Sequence, residues 1–263
     1  YEDPTSDPFP LSDLNGETQA AIDSDIGDGN YDIGHLFHVA GSDISGNAGC
    51  IACVCTSGSK GSGWSQGPDP TNADFTFVVA HEMGHQHGGT HTFNGSNCNP
   101  GQYTGSSAWE PGSGSTIMSY SSICGADNQL GGQPGNLYFH AGNRQQITSY
   151  TQSGGGSSCG TTVATGNSIP TVDAGSDYTI PRGTPFVLAG SGSDPDGEAL
   201  TFTWEQMGLG PATPLTGVDD GQIPLFRSFP PAVSSARTIP AFSDLLAGSA
   251  SLFPNKLGEQ LAS

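Results

Sequence analysis

The chain has 263 residues, which is enough for one or two domains with a sizeable core. Its charge is strongly acidic, since 25 Asp and Glu residues stand against 6 Lys and Arg residues and the net charge is −19. Nucleic acid and anionic membrane surfaces are therefore excluded as favourable partners, because both are polyanionic, whereas cations such as calcium are favoured. No apolar run reaches the roughly 18 residues of a membrane-spanning helix.

The N-terminal part of the chain predicts little regular structure. The acidic residues at 23–29 suggest a calcium loop, but they miss the EF-hand spacing and lack its closing glutamate, so a solvated loop is predicted. Residues 31–39 are predicted to form a strand, in which His35 and His38 are strand residues rather than metal ligands. The Gly- and Ser-rich residues 56–70 are predicted to form a loop.

The strongest pattern in the chain is HEMGHQHGGTH at residues 81–91, which follows an apolar segment predicted to be a buried helix. On a helix, His81 and His85 lie on one face, one turn apart, as two ligands of a tetrahedral zinc ion would. Gly88 is predicted to take a left-handed conformation that ends the helix and turns the chain. The turn would bring His91 back as a third nitrogen ligand, and three protein ligands with an open fourth position are typical of catalytic zinc.

Two further features give this pattern its chemistry. Glu82 follows the first histidine, where HExxH metallopeptidases place a carboxylate beside the water that attacks the substrate. Downstream, Ser115-Thr-Ile-Met118-Ser-Tyr120 is a candidate methionine turn, and HExxHxxGxxH followed by such a turn is the metzincin signature. The alternative is an ordinary helix with solvated or core histidines, which the presence of both segments in this order disfavours.

Over about residues 30–150 the chain resembles the metzincin zinc metallopeptidases, and the residues around the third histidine and the methionine turn resemble the bacterial reprolysin-like and pappalysin-like branch. The resemblance implies an α+β catalytic domain, in which the residues before the motif are too few to supply all the usual N-terminal strands. We therefore expect the chain to begin inside that domain. The roles that the resemblance implies are zinc ligation by His81, His85 and His91, general-base catalysis by Glu82, support of the site by Gly88 and Met118, and stabilisation of developing charge by Tyr120.

If the chain is extracellular, its six cysteines would form three disulfides. They are Cys50, Cys53, Cys55, Cys98, Cys124 and Cys159. The Cys50-x-x-Cys53-x-Cys55 segment could instead bind a metal through thiolates or act as a redox pair, and no second CxxC accompanies it. Cys98 and Cys124 bracket the segment that leads to Met118. A bridge between them would brace the floor of the cleft, so this pair is favoured.

The catalytic domain is predicted to span residues 1–152, with an irregular stretch at 121–138 and a short helix at 143–150. Beyond it the composition of the chain changes. The Ser/Gly/Thr-rich residues 153–168 are predicted to be a linker, followed by a module at 169–263. That module resembles PKD and related Ig-like domains, which implies an all-β sandwich, here lacking a strand or continuing beyond the sequence given. Its strands are predicted at 171–172, 178–180, 186–188 and 200–204.

These features together predict a secreted, extracellular zinc endopeptidase that acts as a monomer on protein or peptide substrates. Zinc is the predicted catalytic cofactor, and calcium is a second candidate with a structural role. Asp194 and Asp196 could bind calcium or could form a plain turn, and the turn is favoured. Two alternatives stay open: a processing protease or toxin of narrow specificity, and a non-catalytic adhesive binding protein on a metzincin shell. The complete set of histidines and Glu82 favours an enzyme.

Overall fold

The computed structural model describes residues 13–39, 42–129 and 135–246. Residues 130–134, inside the stretch predicted to be irregular, and residues 247–263, at the end of the predicted β-module, lie outside the described residues. The chain divides into two compact units: unit 1 contains Tyr1–Thr90 and Ala141–Thr161, and unit 2 contains His91–His140 and Thr162–Ser263. No described helix is long and apolar enough to cross a membrane.

Unit 1 contains a three-stranded sheet with the strand order β1-β3-β2, in which β3 pairs parallel with β1 and antiparallel with β2. Its strands are β1 His35–Val39, β2 Ser45–Asn47 and β3 Gly63–Gly67. The central strand β3 lies within residues 56–70, so the prediction of a loop there was wrong for residues 63–67. A Cβ on Gly63 would lie 2.6 Å from Nδ1 of His35 and 2.7 Å from the side chain of Gln86, so glycine lets neighbouring groups approach the strand closely.

The helices of unit 1 are α1 Leu14–Asp25, α2 Ala73–Gln86 and α3 Ala141–Ser153. α1 extends into residues 23–29, which were predicted to form a loop. That prediction was wrong for residues 23–25, which are helical. Helix α1 buries Leu14, Thr18 and Gln19, and since two of these are polar, no apolar period marks the helix in the sequence. Gln19 is held by long-range contacts instead: its side chain accepts from the Gly61 N–H at 2.7 Å and donates to the Tyr31 hydroxyl at 2.8 Å.

Helix α2 carries the first part of the histidine motif. It begins after Asn72, whose side chain accepts a hydrogen bond from the Asp74 N–H as an N-cap. Its buried face starts with Phe75 and Phe77 and ends with the motif residues. Because a Cβ on Gly67 would meet the Phe75 ring at 3.1 Å, the small residue on β3 lets the helix pack closely against the sheet.

All six cysteines are paired, as Cys50–Cys53, Cys55–Cys159 and Cys98–Cys124. The first two bridges lie in unit 1 and the third lies in unit 2. The structure therefore places the CxxC cysteines in disulfides rather than in a thiolate metal site, and it forms the pair that the sequence favoured. Several disulfides suggest an extracellular location.

Unit 2 contains two antiparallel strand pairs, β4 with β6 and β5 with β7. The strands are β4 Thr171–Asp173, β5 Phe186–Ala189, β6 Ser191–Ser193 and β7 Ala236–Ile239, and a short helix, α4, spans Phe242–Leu246. Residues 178–180 form no strand, and the predicted strand at 200–204 contributes one isolated bridge, between Phe202 and Ala232. The predicted sandwich is not shown by these two pairs.

Unit 2 also includes the segment that follows the histidine motif. The N–H of Thr213 donates to the carbonyl of Asn94 at 2.9 Å, and the N–H of Leu215 donates to the carboxylate of Asp127 at 2.7 Å. Asp127 is buried, so the hydrogen bonds that its carboxylate accepts offset the cost of removing it from water. Residues far apart in sequence therefore form one compact unit.

Candidate metal centre

The side chains of three buried histidines, His81, His85 and His91, lie close together. His81 and His85 lie in the last turns of α2 with their ring centroids 4.8 Å apart, and His91 follows on the same continuous stretch. Ligand atoms of the three all lie within 4.8 Å of one another, which is within reach of one ion because Zn–N bonds are about 2.0–2.1 Å long. Among the described residues, His35 and His38 do not join this group.

The turn between the second and third histidines is held by backbone conformation and by α3. Gly88 has a φ of +95°, which favours glycine, and a Cβ there would also make a tight contact of 3.2 Å with Cβ of Tyr150. The side chain of Asn143 donates to the carbonyl of Thr90 at 2.8 Å, and the side chain of Gln146 donates to its hydroxyl at 2.7 Å. Helix α3 thus anchors the residue that precedes His91.

Hydrogen bonds orient two of the three rings. Nδ1 of His85 donates to the carbonyl of Gly89 at 2.8 Å, and Nδ1 of His91 donates to the carbonyl of Gln102 at 2.7 Å. A carbonyl oxygen can only accept, so Nδ1 carries the proton in both rings and the lone pair is on Nε2. Burial also lowers the pKa of His85, which favours the neutral form that a metal needs. The histidines therefore fit a zinc ion.

The carboxylate of Glu82 lies against strand β2. Burial raises the pKa of Glu82 to about 7, and a hydrogen bond from the backbone N–H of Ala48 acts in the opposite direction. A Cβ on Gly46 would lie only 2.5 Å from Cγ of Glu82 and 2.9 Å from Cγ1 of Val78. The missing side chain at Gly46 therefore provides the space in which Glu82 sits.

The methionine-turn segment lies beside the third histidine. Met118 is fully buried, and its carbonyl accepts a hydrogen bond from the N–H of Thr92 at 3.1 Å. The Tyr120 ring contacts the His91 ring edge to face, with centroids 4.6 Å apart, and stacks on the Phe93 ring at 4.7 Å. The structure thus brings Met118 and Tyr120 to the residues around His91.

Sequence reasoning missed two residues: Gly46, and Glu110, whose carboxylate accepts a hydrogen bond at 2.6 Å from the hydroxyl of Thr92, the residue after His91. Nothing in the sequence distinguishes Gly46 from the other glycines. Glu110 carries a signal, because it is the only acidic residue between Glu82 and Asp127, in a segment rich in glycine and serine. A lone acid in such a segment indicates a specific task or a specific set of hydrogen-bond donors.

Comparison with known proteins agrees with this geometry. The family model for metallopeptidase family M12B, reprolysin-like, matches residues 1–151. No curated protein and no solved structure shows significant similarity to the chain. The matched range covers more than half of the sequence and contains α2, the buried histidines and the methionine-turn segment. The chain therefore belongs to the reprolysin-like metallopeptidases of family M12B.

Proposed function

We propose that the protein is a zinc-dependent endopeptidase. The observation that carries the proposal is the group of three buried histidines whose ligand atoms lie within 4.8 Å of one another in a metallopeptidase of this family. His81, His85 and His91 would hold the ion. When bound, zinc would lower the pKa of a water molecule towards about 7 and polarise the carbonyl of the bond to be cut.

Glu82 is the proposed general base. Its carboxylate oxygen would accept the proton that the attacking water loses, and it would pass that proton to the nitrogen of the leaving amine. The position of the carboxylate supports this role, because the Ala48 N–H donates to it and the lack of a side chain at Gly46 gives it room. A base that is held by its neighbours needs little reorganisation during the reaction.

Tyr120 is proposed to donate a hydrogen bond to the oxygen on which negative charge develops. The contact between its ring and the His91 ring supports the role, since it keeps the phenol beside a proposed ligand. Preorganised donors of this kind stabilise the transition state more than the substrate. Met118 is proposed to fill the floor of the site without binding the ion.

The test compares Glu82→Ala with Glu198→Ala, which alters an exposed glutamate of unit 2. Elemental analysis should find one zinc ion per chain in the parent and in both variants, because Glu82 is assigned as base rather than ligand. Hydrolysis of a quenched fluorescent peptide library should fall by at least about 10²-fold for Glu82→Ala alone. Loss of zinc from Glu82→Ala, or full activity in it, would show that the assigned roles are wrong.

The alternatives predict other results. An adhesive binding protein would release no peptides from a complex protein mixture, whereas a processing enzyme of narrow specificity would cut only a few sites. Mass spectrometry of the released peptides separates these outcomes and reports the cleavage preference.

Secretion is proposed because the chain forms several disulfides. Structural calcium is proposed because acidic residues outnumber basic ones. An unchanged melting temperature with added calcium would count against the calcium proposal.

The domain boundaries and the Ig-like identity of residues 169–263 are also proposals. The exposure of residues 157–167 supports a linker there, and the two antiparallel strand pairs supply part of the β structure that such a module needs. Limited proteolysis of the full chain should cut first within residues 153–168. First cleavage elsewhere would argue for different boundaries.

A further inference from the structure

Glu110 is a buried carboxylate outside the HExxH helix, with 1 % of its surface exposed. Its Oε2 atom accepts hydrogen bonds from the hydroxyls of Thr92 and Thr116, each at 2.6 Å. Its Oε1 atom accepts from the N–H of Ser115 at 2.9 Å and from the Ser115 hydroxyl at 3.2 Å. Among the described residues no basic side chain forms an ion pair with Glu110, so these donors are what stabilise the carboxylate in the interior.

The donors come from the two segments that frame the candidate metal centre. Thr92 directly follows His91, while Ser115 and Thr116 are the first two residues of the methionine-turn segment. The backbone joins the same segments, because the N–H of Glu110 donates to the carbonyl of Thr92 at 2.9 Å. A single carboxylate therefore connects the third histidine's segment to the methionine-turn segment.

We propose that Glu110 is a positioning residue that holds His91 in register with Met118 and thereby raises the affinity of the site for zinc. The inference rests on the proposed zinc-dependent function and adds a residue to it. A carboxylate can only accept hydrogen bonds, and bonds to a charged acceptor are roughly twice as strong as neutral ones, so the donors converge on it in one arrangement. Groups that orient metal ligands in this indirect way commonly change metal affinity by about 10–100-fold.

An amide at the same position would test the charge while keeping the volume. In Glu110→Gln the oxygen would face the N–H of Ser115, which needs an acceptor. The amide nitrogen would then face the hydroxyls of Thr92 and Thr116, and each hydroxyl would have to turn and accept instead of donating. Both links to the two segments would weaken without leaving a cavity.

The experiment measures the zinc affinity of the purified full chain by competition with a fluorescent chelator, which does not depend on proteolysis. The variants are Glu110→Gln, Thr92→Val and Thr116→Val, where valine keeps the branched shape and removes one hydroxyl. The matched control is Thr171→Val, whose hydroxyl donates to the carbonyl of Ser193 at 3.2 Å within the β4–β6 strand pair. Ile239→Val is a second control, because it weakens a buried part of unit 2 without touching these hydrogen bonds.

We expect Glu110→Gln, Thr92→Val and Thr116→Val each to weaken zinc binding by at least about tenfold, and both controls to stay within about twofold of the parent. Thr92→Val combined with Thr116→Val should lose less than the product of the single losses, since both act through one oxygen atom. If Glu110→Gln fails to fold, the two valine variants decide the matter. Unchanged zinc affinity in folded valine variants would overturn the inference, whereas a parent chain that binds no zinc would overturn the proposed function itself.

Discussion

Substitution of Gly46 by alanine offers a sharp test of how strand β2 positions the proposed base. The new Cβ would lie 2.5 Å from Cγ of Glu82, 3.0 Å from its Oε1 atom and 2.9 Å from Cγ1 of Val78. Two carbon atoms in ordinary contact are about 3.5–4.0 Å apart, so the Glu82 side chain would have to move by about 1 Å. That movement would also disturb the hydrogen bond from the Ala48 N–H.

A shift of about 1 Å in a catalytic group can reduce the rate by about 10²-fold, so we expect kcat of Gly46→Ala to fall by about that factor. Zinc content should be unchanged, because the crowded atoms belong to Glu82 and Val78 rather than to the histidines. The assay is hydrolysis of a quenched fluorescent peptide, combined with elemental analysis and a melting curve.

The control for this substitution is Gly29→Ala, because a Cβ on Gly29 has no neighbouring atom within 4 Å. It should match the parent in kcat and melting temperature. A Gly46→Ala enzyme with kcat within about threefold of the parent would refute the argument that the space left by Gly46 sets the position of Glu82. Loss of both zinc and folded structure would instead show that Gly46 supports the sheet as a whole.

Three further predictions concern single features of the structure. Tyr120→Phe should lower kcat at least about tenfold with zinc content unchanged, and a change of less than about twofold would rule out the hydroxyl as a donor. Replacing Cys98 and Cys124 by serine opens a loop with a sequence separation of 26 and should cost about 3.5 kcal/mol in urea unfolding; an unchanged midpoint would contradict this. Burial lowers the pKa of His35 below its usual 6.5, so the folded state binds this proton more weakly than the unfolded state does. The free energy of unfolding should therefore fall as the pH drops from about 6.5 towards the folded-state pKa, and His35→Asn should reduce that dependence in urea titrations at several pH values.

The sequence by itself was enough to predict the arrangement of the histidine motif, because that arrangement depends on local backbone geometry. The spacing of His81 and His85 matches one helical turn, and Gly88 supplies the positive φ that returns the chain towards His91. No long-range contact is needed to predict these positions. The metallopeptidase assignment could therefore be made from this stretch and the methionine-turn segment, and the family match confirmed it.

Only the tertiary structure decided the parts whose stability comes from distant neighbours. The glycine-rich strand β3 and helix α1, with its buried Gln19, lack an apolar period and are fixed by packing and by bonds such as that from the Gly61 N–H. Gly46 and Glu110 matter because of what lies opposite them, which no local pattern records. A period of apolar residues reports a local face, whereas a buried hydrogen-bond network depends on which segments the fold brings together.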